Sequence, residues 1–311
     1  MEIFETTGML TSLRKQFSRR EFIGCSALGL AAATLYAAEK PPARRFKIIG
    51  FIKPFQNLAF DEVADIAREV GWDGIECPVR KDGAIEPARV EEELPKLADA
   101  LKKRGLELSV ISTDVEDATE PLGQRVLQTA SKLGIHRYRL KHYYYDLEKP
   151  IPPQLDDFRA RLRDLAQLNR ELKLQGAVQN HSGRNYVGAP VWDLWTMIKD
   201  LDPRHMGVCF DIGHATLEGG LSWPIEARLM ERQFTAVFVK DFIWQRTDRG
   251  WREQWVPLGD GMVDKAFFEW LKTASFTGPI CQHHEYDHGE GKPMIAKMQK
   301  DLKVLREWLA S

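Results

Sequence analysis

The stretch RFKIIGFIKPFQNLAFDEVADIAREVGWDGIECP, residues 45–78, decides between two folds. It opens on a short apolar run rich in β-branched residues, RFKIIGFI (45–52), which suits a buried strand. FDEVADIAREVG (60–71) follows as a helical pattern and ends on glycine, where a left-handed C-cap stands. WDGIECP (72–78) is a second strand. Alternating units of this kind build either an open doubly wound sheet or a closed (β/α)8 barrel. The doubly wound nucleotide fold leaves an early strand through a glycine-rich phosphate loop. Here the first strand leaves through KPFQN (53–57), without paired glycines, so the barrel is expected.

Outward from this unit the alternation continues. Further strand runs are LELSVIS (106–112), HRYRLKH (136–142), QGAVQNH (175–181), MGVCFDI (206–212), TAVFVKD (235–241) and PICQHHE (279–285). Helical patterns separate them, and MIAKMQKDLKVLREWLA (294–310) closes the chain. Gly71, Gly105, Gly134 and Gly176 are placed as C-caps before the next strand. Eight strand–helix units in about 270 residues match the count and size of a TIM barrel. The expected fold is α/β: a single (β/α)8 TIM barrel over residues 44–311, preceded by a signal segment and linker over 1–43.

That leading segment has its own character. Ser18-Arg19-Arg20-Glu21-Phe22-Ile23-Gly24 precedes CSALGLAAATLYAA (25–38), a weakly apolar stretch with small residues before Glu39. The pattern predicts a twin-arginine export signal, with the Tat machinery as partner and the periplasm as destination. The stretch falls short of the roughly 18 to 20 clean apolar residues of a membrane span. Beyond it remain Cys77, Cys209 and Cys281, an odd number that argues for buried free thiols over a disulfide framework. A net charge of −1 excludes a basic nucleic-acid footprint for the chain as a whole.

In a TIM barrel the chemistry sits at strand C-termini. Polar residues gather at those ends: Glu76 and Arg80; Thr113 and Asp114; Arg139, Lys141 and His142; Gln179, Asn180 and His181; Asp211 and His214; Lys240 and Asp241. The last strand ends in CQHHEYDH (281–288). Side chains alternate faces along a strand. Cys209 therefore faces with Asp211, Phe238 with Lys240, and Cys281 with His283 and Glu285. Gln282 and His284 take the opposite face, so the three histidines of the run are not one cluster. Candidate acids and bases are Glu76, His181, Lys240, His283 and Glu285. Lys240 is open to three roles: base, Schiff-base amine, or ion-pair partner of Glu76, Asp211 or Glu285. Arg139, Lys141, Asn180, His214 and Trp244 are candidate substrate contacts. Trp223, Trp251 and Trp255 join Trp244 in the loops after the sixth and seventh strands, where aromatic faces suit a sugar ring.

GWDGIECPVR (71–80), VQNHSG (178–183), CFDIGHA (209–215), FVKD (238–241), PLGDGMVD (257–264) and GPICQHHEY (278–286) together resemble the sugar phosphate isomerase/epimerase group of xylose-isomerase-like TIM barrels. The resemblance covers about residues 45–310. It implies one divalent metal ion held by two glutamates, an aspartate and a histidine, the glutamates also moving protons next to a carbonyl. Motif by motif those positions are Gln179, Asp211, Phe238 and His283. Phenylalanine cannot ligate, and glutamine offers only a neutral oxygen. Carboxylates suit Mn²⁺ or Mg²⁺, and imidazole suits Zn²⁺. One expectation is therefore an ion on Gln179, Asp211 and His283, joined by Glu285 or Glu76. The other is a site without metal, in which Lys240 with Lys141 or Arg139 supplies the positive charge. The resemblance implies an isomerase or epimerase acting on a small-molecule carbohydrate, by abstracting a proton next to a carbonyl, and the leading segment adds export. A keto-glycoside lyase or hydratase and an inactive sugar-binding barrel are the alternatives. An apurinic-site endonuclease shares the fold but needs a multi-zinc cluster and a basic groove, against which the net charge and Phe238 argue.

Overall fold

The computed structural model describes residues 46–310, so the twin-arginine motif and Cys25 lie outside the described residues. The first half of the barrel contains strands β1 (Ile48–Phe51), β2 (Gly74–Val79), β3 (Glu107–Thr113) and β4 (Arg137–Arg139). Between and after them run helices α1 (Phe60–Val70), α2 (Val90–Lys102), α3 (Pro121–Lys132) and α4 (Ile151–Leu172). The second half contains β5 (Gln175–Gln179), α5 (Trp192–Ile198), β6 (Met206–Asp211), α6 (Ile212–Gly219), α7 (Trp223–Met230) and β7 (Phe234–Val239). A hairpin of β8 (Asp241–Thr247) and β9 (Gly250–Val256) follows, then α8 (Ala266–Leu271), β10 (Ile280–Gln282) and α9 (Gly291–Ala310). Eight strands close a parallel barrel in the order β1, β2, β3, β4, β5, β6, β7, β10, and β8 and β9 form a separate antiparallel ribbon.

Two cores follow from the alternation. Outward strand residues such as Ile75, Cys77, Ile111 and Phe210 pack with helix residues such as Leu94, Leu97 and Leu165. Inward residues Ile49, Phe51, Val110, Ala177, Cys209, Ala236, Phe238 and Cys281 form a second, smaller cluster inside the barrel. The faces are those that period two predicts. Gln282 and His284 sit on the outer face: Gln282 accepts a hydrogen bond from Trp72 Nε1 at 2.9 Å, and His284 lies 3.5 Å from Asp301. Cys77, Cys209 and Cys281 are free and buried.

Gly71, Gly105 and Gly134 have positive φ, as caps require. Gly176 does not. It lies inside β5, and Lys173, with φ of 57°, is the left-handed cap of α4. Gly176 is needed for a different reason: a Cβ there would stand 2.7 Å from Asn169 Nδ2 and 2.8 Å from the Tyr138 ring.

The link between β7 and the hairpin explains two motifs at once. The buried Asp241 carboxylate accepts four backbone N–H bonds, from Phe242 and Val263 at 2.9 Å, Gly259 at 3.0 Å and Gly261 at 3.1 Å. FVKD and PLGDG are thus two sides of one contact. Gly259 has φ of +90°, and a Cβ on Gly261 would meet Asp241 Oδ1 at 2.3 Å. Asp241→Ala removes the acceptor of four largely buried donors and is expected to cost about 3 kcal/mol. The measurement is urea unfolding, with a lower midpoint at unchanged slope. An unshifted midpoint would show that water replaces the carboxylate.

Candidate active site

A polar cavity of about 120 Å³ opens at the C-terminal ends of the strands. Lys53, Arg80, Arg139 and Lys240 bring cations to it, and His142, His181 and His283 bring imidazoles. Gln179, Glu285 and the Phe51 ring complete the lining.

Glu76, on β2, is fully buried just beneath. Its Oε1 accepts the Ser112 hydroxyl, and its Oε2 faces His283 Nε2 at 2.9 Å and the Cys281 thiol at 3.1 Å. Burial pushes this carboxyl up, but His283, Arg139 and Ser112 outweigh it and hold it below the usual carboxylate range. His283 is clamped in turn. Its ring stacks between Phe51 (4.6 Å) and Phe238 (4.4 Å), and its Nδ1 lies 3.9 Å from Glu285 Oε1. Burial alone would discharge the ring, yet the carboxylates of Glu76 and Glu285 raise it above the ordinary histidine value. Glu285 stands at the rim with its side chain 27% exposed. Burial raises its carboxyl, but Lys240 and then His283 bring it well below the usual range.

Lys240 stands beside them, at the end of the neighbouring strand β7. Its Nζ is 3.2 Å from Glu285 Oε1, 3.6 Å from Asp211 Oδ2 and 4.4 Å from the centre of the Trp255 ring. Of the ion pairs expected for it, those to Asp211 and Glu285 form. Asp211 is itself the N-cap of α6, accepting from His214 N at 3.0 Å, and it takes Gln179 Nε2 at 3.0 Å. Asn180 bridges to the Asp211 backbone in both directions, at 2.7 and 2.9 Å, so it clamps β5 to β6 and does not line the cavity.

Three imidazoles cluster, with only the Tyr186 ring stacked on the central one. His181 lies 3.9 Å from His214, 4.7 Å from His142 and 4.3 Å from the Tyr186 ring. Burial and the neighbouring Lys240 cation push His181 down to about 4. Burial likewise holds His142 and His214 well below the ordinary value. His181 Nδ1 is 2.8 Å from the Ser182 carbonyl, which can only accept, so Nδ1 carries the proton. Nε2 is left as the ring's lone pair. His214 lies beneath His181, with Nδ1 2.8 Å from Ser182 Oγ, and supports that ring without reaching the cavity.

Other expected residues lie elsewhere. Lys141 turns outward because β4 ends at Arg139; it pairs with Glu116 at 3.1 Å and lines a different depression. Trp223 is buried against Phe267 at the start of α7, so it is core and not rim. Trp244 and Trp251 are on the hairpin, outside the small cavity. Lys53 escaped the reading by strand ends because it follows β1 in a short helical turn. Tyr186 escaped it because it sits far along the loop after β5. Arg80 lies 5.8 Å over the Phe51 ring. Among the described residues neither Lys53 nor Arg80 has an ion-pair partner.

Gln179, Asp211 and His283 do not converge on one point suited to an ion. Gln179 meets Asp211 through an N–H donor, the Lys240 ammonium shares the same carboxylate oxygen, and His283 Nε2 faces Glu76. Phe238 packs on His283. A different trio has ligand atoms within 4.8 Å of one another: Glu76, Cys281 and His283, all buried. Nitrogen, sulfur and carboxylate together suit Zn²⁺. These atoms are already hydrogen-bonded to each other, however, and Phe51 and Phe238 pack against the His283 ring. The donors do not fit a resident ion, and the site's positive charge comes from Lys240, Arg139, Arg80 and Lys53.

A family model described as a xylose isomerase-like TIM barrel matches residues 64–308. No curated protein matches the sequence. Among solved structures, 3-keto-D-glucoside 4-epimerase from E. coli is 17% identical, with 85% of this chain and 100% of that chain covered and a TM-score of 0.64. D-Psicose 3-epimerase from Clostridium cellulolyticum H10, with D-tagatose, is 13% identical, with 85% and 99% covered and a TM-score of 0.65. A xylose isomerase-like TIM barrel protein from Mycobacterium smegmatis, in complex with magnesium, is 16% identical, with 86% and 99% covered and a TM-score of 0.61. At these identities the likeness is one of fold.

Proposed function

The chain belongs to the xylose isomerase-like TIM barrel family, and from that premise we propose that it abstracts a proton next to the carbonyl of a sugar or sugar derivative. One observation carries the reading. Two imidazoles line the same cavity in contrasting settings: His181 has its Nδ1 on the Ser182 carbonyl and is pushed down to about 4, whereas His283 lies 2.9 Å from Glu76 and 3.9 Å from Glu285 and is raised above the ordinary histidine value. Titratable groups pushed apart in this way are suited to act as base and acid. His181 Nε2 takes the proton from carbon, and His283 delivers one to oxygen. Lys240 and Arg139 stabilise the negative charge that develops on the carbonyl oxygen. Glu76 orients His283 and keeps it charged. Isomerisation or epimerisation is the default outcome.

The pH profile follows with definite signs. The base works only above the His181 pKa, so activity falls as pH drops through about 4. The acid works only while His283 is protonated, so activity falls as pH rises through a value above the ordinary histidine range. The experiment is deuterium uptake from D₂O at the carbon beside the carbonyl of ketoses and keto-glycosides, in a metal chelator. Exchange within this bell is the expected result. Sugar binding without exchange at any pH would leave an inactive binding barrel. Activity lost to chelator and restored by a divalent ion would overturn the metal-free route.

The opposite displacements of His181 and His283 also favour a keto-glycoside lyase, in which His283 protonates a departing glycosidic oxygen. We assign the enzyme to the periplasm on the strength of the Ser18–Gly24 motif.

A further inference from the structure

The hairpin after β7 carries an aromatic ladder. Its register pairs Phe242 with Trp255, Trp244 with Glu253 and Arg246 with Trp251, and directly paired residues share a face. Phe242, Trp244, Trp251 and Trp255 therefore lie on one side of the ribbon. At its root the ladder touches the site: the Trp255 ring lies under Lys240 at 4.4 Å and 5.3 Å from His214. Farther out the rings are bare, Trp244 being 41% and Trp251 63% exposed.

These outer rings form one wall of a groove of about 730 Å³. Trp192, 54% exposed, and Pro190 also line it. Glu226 lines the groove at only 6% exposure, and its Oε2 is a buried acceptor with no hydrogen-bond partner. Its other oxygen takes the Ser222 hydroxyl at 3.2 Å. Gly219 makes room for this carboxyl, since a Cβ there would stand 2.3 Å from Glu226 Oε1. A buried oxygen without a donor is costly and marks a place where a ligand hydroxyl belongs.

We propose that this groove is a second glycosyl subsite, so that the substrate is a disaccharide or longer glycoside with its keto-sugar in the small cavity. This rests on the proton-transfer reading of that cavity. A pyranose ring offers an apolar C–H face to Trp244 and Trp251 and edge hydroxyls to Glu226. The two volumes agree with this division. The cavity of about 120 Å³ takes only the reacting end. The groove falls in the range of about 300–1,000 Å³ that encloses larger ligands.

The test is calorimetric titration of the full-length protein with cellobiose, maltose, lactose and sucrose, and with their component monosaccharides. At least one disaccharide is expected to bind about tenfold or more tighter than either component, one stacked ring being worth about that factor. Trp251→Ala with Trp244→Ala, and separately Glu226→Gln, should each reduce that advantage tenfold. Both tryptophans are exposed, so unfolding does not confound the result, and thermal midpoints check it. Equal affinities for one ring and two, or an advantage untouched by either substitution, would overturn the subsite. Binding needs no turnover. A preserved disaccharide preference without deuterium exchange would sink the proton-transfer reading and keep the subsite; the reverse pattern would do the opposite.

Discussion

His283→Ala is expected to lower solvent exchange by about 10²- to 10⁴-fold, the usual contribution of a positioned acid or base. The argument is geometric first. His283 is the cavity-lining imidazole held by a buried carboxylate, at 2.9 Å from Glu76, and packed between two phenyl rings at 4.6 and 4.4 Å. Glu285 beside it cannot donate in its place, because Lys240 and His283 hold its carboxyl well below the usual range. The alanine variant also empties a ring-sized space, so a drop in stability accompanies the loss. His283→Gln fills the space and separates the two effects. It should recover stability and not rate. Exchange retained in the glutamine variant would remove His283 from the chemistry. The basic limb of the pH profile should vanish together with the acid.

Glu76→Ala is expected to be the most destabilising single change in the site, at about 3–5 kcal/mol, the cost of breaking a buried pair from one side. The carboxylate is fully buried and serves His283, Ser112 and Cys281 at once, with Arg139 close enough to lower its pKa. Removing it leaves the His283 imidazole with Glu285 alone, 3.9 Å away, and strips a counter-charge from the buried Arg139 guanidinium. The linkage has a definite sign. A carboxyl depressed on folding stabilises the protein above its unfolded pKa, and that contribution is lost as pH falls through the lower folded value. Glu76→Gln should therefore flatten the acid limb of stability against pH, measured by urea unfolding at several pH values. An acid limb identical to wild type would mean that the Glu76 pKa is not displaced on folding.

The barrel was legible because its signals are periodic. Each of the eight strand runs anticipated from β-branched clusters coincides with a barrel strand, and alternation placed Cys209, Phe238 and Cys281 inside. The hairpin was not legible. Its aromatic residues recur at period two, but Arg246 and Glu253 share their face and most of β8 and β9 is exposed, so the run does not read as a strand packed on a core. Strand ends located most of the cavity lining but could not say which groups meet across it. The contact of Glu76 with His283 joins β2 to the end of β10 around the closed barrel, and closure is a property of the whole sheet. Lys141 does not reach the cavity because β4 ends at Arg139, two residues before it. Gly176 was taken for a cap because the chain offers no sign that Lys173 turns left-handed in its place.

The Asp241 cage has a consequence for how such a protein can change. Three of its hydrogen bonds fasten the start of β8 to residues 259–263, just past the end of β9, so the ribbon is tied off at its base. Its tip at Asp248 and Arg249 is a surface turn, where insertions and exchanges are best tolerated. Lys240 sits on the barrel side of that knot. The appendage that meets the outer part of a ligand is thus modular, and can be lengthened, shortened or regrafted while the proton-handling groups below keep their register.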